Sequence, residues 1–276
     1  MSIFDNNTPI IMGILNVTPD SFSDGGRFNE TSPAVKHALQ MMYEGADIID
    51  VGGESTRPGS KRVNASDQIT RVGEIIKSIR EIALEEVEIS IDTTLSKVAE
   101  AAIESGASMI NDVSAGTDDP QIFELAADKN LPIILMHMQG TPQTMQVKPV
   151  YDDVVEDIRA YLLDRVEAAI AAGIKKENIG IDPGIGFGKT QAHNMQLMAR
   201  LDRFVDTGLP ILLGASRKRF MGSICEGAEP EELVGATCAT TVAGVNAGVQ
   251  MFRVHDVRPN RQAADVAWAL KYLNKA

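Results

Sequence analysis

Polar and ionisable residues recur in this sequence directly behind short apolar, β-branched runs. Asn16 follows IIMGIL, Thr56 and Arg57 follow IIDVGGES, and Asp92 closes EISID. Asn111 and Asp112 follow MI, His137 follows IILM, Asp182 closes IGID, Arg217 and Lys218 follow LLGAS, and MFRVH carries Arg253 and His255. A charge in or beside a strand that is buried on both faces is costly unless a partner meets it. One such residue reads as structural; the same arrangement behind eight runs reads as a site assembled from strand ends. Arg57, Arg217, Lys218, Arg253 and His255 make a candidate anion site, since guanidinium forks suit phosphate and lysine supplies a mobile charge. Asp92 and Asp182, with Asn111, could instead face a nitrogen-rich ring, because a carboxylate accepts two parallel N–H bonds. Glycoside hydrolysis fits poorly beside the accompanying Asn, Lys and Arg. The glycine-rich DPGIGFGK (182–189) lacks the GK[ST] ending of a nucleotide P-loop. His137, between two methionines and with no nucleophile partner in MHMQG, reads as a packed core histidine rather than a base.

These residues need elements to hold them. Eight strand candidates run over Pro9–Val17, Asp47–Gly53, Val87–Thr93, Ser108–Ser114, Pro132–Met138, Ile179–Gly184, Pro210–Ser216 and Met251–Val257. Helix candidates alternate with them, among them residues 32–46, 95–107, 119–130 and 150–173, and Gly45, Gly106, Gly173 and Gly208 each stand where a helix must stop before the next strand. Regular βα alternation predicts a parallel sheet, and eight repeats favour closure into a (β/α)8 TIM barrel, an α/β fold with its active site at the C-terminal strand ends. No linker, low-complexity tract or charge block divides the chain, so residues 1–276 are expected to form one domain. The longest irregular pieces, Thr18–Thr31 and Glu54–Ala65, have the length of functional lids.

Composition narrows the partners. A net charge of -12 argues against nucleic acid and anionic membranes, and 44% hydrophobic with 23% charged residues suits an ordinary globular core. Two cysteines without a CxxC pair indicate neither a disulfide framework nor a zinc site. No leader or run of eighteen apolar residues occurs, so a cytoplasmic location is expected. The candidate helix Leu233–Val249 contains no charged residue. An outer-ring helix of a monomeric barrel should show a polar face, so a homodimer is expected.

The segments GILNVTPDSFSDGGRF (13–28), DVGGESTRPGS (50–60), SIDTT (90–94), INDVSAG (110–116), MHMQGTPQTMQ (136–146), DPGIGFGKT (182–190), GASRKRFMG (214–222) and RVHDV (253–257) resemble, in order and across the whole chain, those of the dihydropteroate synthases. The resemblance implies condensation of 6-hydroxymethyl-7,8-dihydropterin diphosphate with 4-aminobenzoate, giving 7,8-dihydropteroate and diphosphate for folate synthesis. It implies a pterin held by Asp92, Asn111, Asp182 and Lys218, walled by Met136 and stacked on Arg253. It implies a diphosphate held by Asn16, Thr56, Arg57, Arg253 and His255, with Mg²⁺ at Asn16. Phe22, Pro58, Phe187 and Ser216 would border the aminobenzoate, with Ser216 at the start of a short helix. Asp92, Asp182 and Lys218 would be the catalytic groups of a dissociative reaction, and the loops around Phe22 and Pro58 would close over its cation. Lys61 and Arg62 make the second loop more basic than the family leads one to expect. Two rivals remain: a methyl-transferring pterin barrel, opposed by TPDSFSDGG, STRPG and SRK, and a catalytically silent pterin-binding protein, opposed by the intact strand-end residues. The barrel leaves no room within these residues for a fused pterin kinase.

Overall fold

The computed structural model describes residues 3–5, 8–17, 32–55, 59–60, 62–83 and 87–273. Eight parallel strands appear among them: β1 (Ile10–Asn16), β2 (Ile48–Gly52), β3 (Glu88–Asp92), β4 (Met109–Asp112), β5 (Ile133–Met136), β6 (Ile179–Asp182), β7 (Leu212–Leu213) and β8 (Met251–Val254). Hydrogen-bonded neighbours run β6-β5-β4-β3-β2-β1-β8-β7, and a parallel bridge between Ile181 and Ile211 joins the two ends. Helices lie between consecutive strands, and the whole is a (β/α)8 TIM barrel. The helices are α1 (Pro33–Tyr43), α2 (Ala65–Ile82), α3 (Ser96–Glu104), α4 (Gln121–Asp128), α5 (Val154–Ala171), α6 (Gln191–Ala199), the short α7 (Asp202–Val205) and α8 (Arg219–Gly222), α9 (Val234–Ala247) and α10 (Val257–Leu273).

The strands build two cores because side chains alternate across them. Ile10, Met12, Ile48, Met109, Ile134, Leu212 and Met251 form a closed apolar layer inside the barrel, covered from below by Ile3 and Phe4. Their chain neighbours Ile11, Ile49, Ile110, Ile133, Leu135, Leu213 and Phe252 belong to the larger core shared with the helices. The same parity carried two residues further places Asp50, Ser90, Asn111, Asp182 and Arg253 above the inner layer, towards the C-terminal mouth. An apolar floor under a polar mouth is therefore written into the period-two pattern.

The helices start and stop for local reasons. The Asn64 side chain accepts from the Asp67 N–H at 2.9 Å to begin α2, and Asp153 caps α5 through the N–H groups of Val155 and Glu156. Gly45, Gly106, Gly173 and Gly208 have φ of +96°, +114°, +100° and +71°, as expected of helix stops. One expected element is much shorter than its pattern. Of Pro210–Ser216 only Leu212–Leu213 is strand, because the chain turns at Arg217 (φ +56°) and Ser216 is drawn into side-chain bonds.

Candidate active site

Register assembles the mouth. Asn16, Gly52, Asp92 and Asn111 are successive cross-strand partners on β1 to β4, and Met136 partners Asp182 on β5 and β6. Asp92, Asn111, Met136 and Asp182 are buried, while Asn16 at the end of β1 is exposed. Burial pushes Asp92 up to about 7, against the pull of the Arg253 guanidinium. It pushes Asp182 up to about 6, although the Gly184 N–H donates to Asp182 Oδ1 at 2.7 Å.

Arg253 rises from β8 between two carboxylates. Its Nε donates to Asp50 Oδ2 at 2.6 Å and its Nη2 to Asp92 Oδ2 at 2.7 Å. Burial works against its charge, but Asp50 and Asp92 outweigh that and keep the guanidinium ionised. Asp50, fully buried, was missing from the sequence-derived site because it stands mid-strand in IIDVG rather than at a strand end. Its signal was there: a carboxylate inside a doubly buried strand, with the parity of inward-facing Ile48.

The glycine-rich segment after β6 forms a tight shelf against the segment after β5. Lys189 Nζ donates to the Phe187 carbonyl at 2.8 Å and meets His137 Nδ1 at 3.0 Å, and both residues are buried. Burial, then Lys189, pushes His137 down to about 3, so the ring is neutral. Burial likewise lowers Lys189 well below the ordinary lysine range. His137 is thus the packed histidine expected. Lys189 is a buried lysine that sequence reasoning passed over as the tail of a rejected phosphate loop. The shelf carries Phe187, which packs with Val113, Met136 and Met145, and Lys218 Nζ lies 4.1 Å from the centre of its ring. The expected pterin residues Met136 and Lys218 and the expected aminobenzoate residue Phe187 are therefore one contiguous surface.

Three strand-end residues are placed differently from expectation. Arg217 is no part of an open anion site: it forks onto Asp256 at 2.7 and 3.0 Å. Asp112 faces away from the mouth and organises the turn after β4, accepting from the N–H and hydroxyl of Ser114 and the N–H of Gly116. Ser216 does not open a helix, since α8 begins at Arg219. Its hydroxyl instead accepts from the His255 backbone N–H at 3.1 Å and lies 3.0 Å from His255 Nδ1. Burial, then Arg253, Arg217 and Lys218, pushes His255 down to about 4. Phe22, Thr56, Arg57, Pro58 and Lys61 lie outside the described residues. Arg62 pairs with Asp118, which absorbs part of the second loop's excess charge.

Carboxylates, an amide and cations converge on the C-terminal mouth of a (β/α)8 barrel, the place where enzymes of this fold carry their active sites. Residues 12–255 match the family of pterin binding enzymes. The dihydropteroate synthase of Streptococcus pyogenes serotype M3 is 48% identical over 257 residues, covering 93% of each chain. The structure of the Yersinia pestis dihydropteroate synthase with a sulfonamide drug is 41% identical, with a TM-score of 0.88 over 96% of this chain and 94% of that one. The Xanthomonas albilineans dihydropteroate synthase in complex with 7,8-dihydropteroate is 38% identical, with a TM-score of 0.83 and the same coverage. The chain belongs to the dihydropteroate synthase family.

Proposed function

We propose that the barrel mouth condenses 6-hydroxymethyl-7,8-dihydropterin diphosphate with 4-aminobenzoate by a dissociative path, the acceptor row Asp92, Asn111 and Asp182 being the observation that carries the reading. Those acceptors suit the N–H-rich edge of a pterin, with Lys218 as the donor and Met136 as an apolar wall. Arg253, beside the row, offers a guanidinium face to the ring, and with His255 and Asn16 it offers donors to the diphosphate; Thr56 and Arg57 join them in this reading. Phe187 gives the flat face for an aminobenzoate, with Phe22 and Pro58 as its partners from the first two loops. Ser216 serves by holding His255. An aniline nitrogen is a weak nucleophile, so departure of diphosphate first is favoured: the CH₂–O bond breaks with its electron pair going to diphosphate. The amine then forms the C–N bond and gives up a proton. Buried carboxylates beside the ring stabilise the positive charge that develops on it. Incubation of the pterin diphosphate with enzyme and Mg²⁺ but no 4-aminobenzoate should release diphosphate slowly. Release only when the amine is present would rule out the dissociative order.

Among the described residues no group of three His, Cys, Asp or Glu side chains could cage a metal. Mg²⁺ keeps several waters and takes much of its coordination from substrate phosphates, so it needs few protein oxygens. Asn16 offers such an oxygen at the exposed end of β1. The ion, when bound, neutralises charge on the leaving diphosphate.

A homodimer through the late helices is part of the same proposal. The inner side of α9 is covered, with Thr237, Thr241, Gly244 and Val245 buried and Thr241 bonded to Asn260 of α10 at 2.7 Å. Gly235, Ala239, Val242 and Ala243 nevertheless stand exposed along one stripe of α9, and on α10 Val266 and Leu270 are 60% and 64% exposed. Such apolar stripes are suited to a second copy. Light scattering at micromolar concentration should give twice the chain mass, and Val266→Glu with Leu270→Glu should halve it. A monomeric mass for the wild type would contradict this. A cytoplasmic location belongs to the same proposal; Cys225 and Cys238 are free thiols, and no helix among the described residues is long and apolar enough to cross a membrane.

A further inference from the structure

Asp50 touches two of the residues assigned above to the pterin, and does so with a single atom. Its Oδ2 accepts from Arg253 Nε at 2.6 Å and from Asn111 Nδ2 at 3.1 Å, while its Oδ1 is buried without a hydrogen-bond partner among the described residues. A carboxylate that accepts from both groups can only meet the NH₂ end of the Asn111 amide, so the other end, Oδ1, is left to the mouth. An asparagine without such a partner can present either a donor or an acceptor; this one can present only an acceptor. Oδ1 of Asn111 then joins the carboxylates of Asp92 and Asp182 in a row of three acceptors. Such a row rejects a ring edge that itself carries acceptors, because buried oxygens would face each other unpaired.

We propose that Asp50 is a positioning residue that sets the specificity of the site: by holding the Asn111 amide in one sense and Arg253 in one place, it makes the mouth selective for a ring edge rich in N–H donors. This rests on the reading that Asn111 and Asp182 hold the pterin. What matters in this role is the acceptor oxygen rather than the charge. Asp50→Asn can place its carbonyl oxygen where Oδ2 stands and its NH₂ where the unpartnered Oδ1 stands, so it keeps both bonds. Asp50→Val keeps the volume and removes both.

Direct binding of 6-hydroxymethylpterin and steady-state kinetics read the difference. Asp50→Val should weaken pterin binding at least 30-fold and raise KM for the pterin diphosphate in step, while KM for 4-aminobenzoate stays within threefold of wild type. Asp50→Asn should bind the pterin within tenfold of wild type. A merely structural role would raise both KM values together or act through stability alone. Pterin binding by Asp50→Val within threefold of wild type overturns the proposal, as does an Asp50→Asn loss equal to that of Asp50→Val. Losses short of 30-fold in Asp50→Val count against it also unless Asp50→Asn is clearly tighter. Should Asp50→Val not fold, Asp50→Asn decides: retention within tenfold supports the role, and a larger loss overturns it. Asn111→Ala and Asp182→Asn in the same binding assay test the underlying pterin reading separately, since wild-type binding by both would remove the pterin from this row whatever Asp50 does.

Discussion

Asp182→Asn is expected to lower turnover by two orders of magnitude or more while the protein stays folded. The carboxylate sits buried at the end of β6 with one oxygen taken by the Gly184 N–H, and Lys218 and Arg253 act on it electrostatically. Asparagine keeps the shape and can still accept from Gly184, but it removes the negative charge that would face the pterin as positive charge develops. Loss of a charged hydrogen-bond site of this kind is worth about 3 kcal/mol, roughly two decades in rate. Stability should move the other way, and the sign follows from proton linkage. Burial raises the folded Asp182 to about 6 from an ordinary 3.8, so protonation favours the folded state. The cost of holding the carboxylate ionised is absent below pH 3.8, grows towards pH 6 and is fully present above it. Asparagine never bears that cost. The melting temperature of the variant relative to wild type should therefore be more favourable at pH 8 than at pH 5. Turnover within threefold of wild type would take Asp182 out of the reaction, and a relative melting temperature that does not change with pH would show that its carboxyl is not raised.

The barrel was legible in the sequence because two periodicities agree along its length: doubly buried strands and amphipathic helices, with glycines at the stops. The strand-end rule found Asp92, Asn111, Asp182, Lys218, Arg253 and His255, which register and packing do bring to one mouth. It failed in both directions, because it used nearness to the strand end alone and ignored which way a side chain faces. Asp112 follows Asn111 and so has the opposite parity, and it serves a turn. Asp50 has the inward parity but sits lower in the barrel, where the rule did not look. Arg217 illustrates a different limit, since its partner Asp256 is 39 positions away and nothing local announces the pair. Ser216 and His255, assigned by resemblance to different ligands, turn out to be bonded to each other. Lys189 was hidden by its motif: once the nucleotide loop was rejected, the lysine was left without a role, whereas the fold uses it to fasten the shelf under Phe187.

That shelf leads to the second large effect, a stability loss in Gly184→Ala well beyond what glycine-to-alanine strain accounts for. Gly184 has φ +68°, a region where a side chain costs about 1 kcal/mol. The greater obstacle is room. A Cβ there would lie 1.9 Å from the His137 carbonyl oxygen, a backbone atom that no rotamer change can move. The segments after β5 and β6 would have to part, although the His137 N–H bond to the Asp182 carbonyl at 3.0 Å and the Lys189 contacts to His137 hold them together. Gly208 supplies the control, with φ +71° but nothing within 4 Å of a Cβ. Gly208→Ala should cost about 1 kcal/mol, or roughly 2–4 °C for a chain of this size, whereas Gly184→Ala should cost about 3 kcal/mol or more and three times that shift. Thermal melts of both variants at one pH make the comparison. Because the displaced shelf carries Phe187 and the Gly184 N–H that orients Asp182, the surviving folded Gly184→Ala should also lose activity at temperatures well below its melt, and Gly208→Ala should not. Equal destabilisation of the two variants would mean that the segments separate freely, and the close approach at Gly184 would then be no constraint on the site.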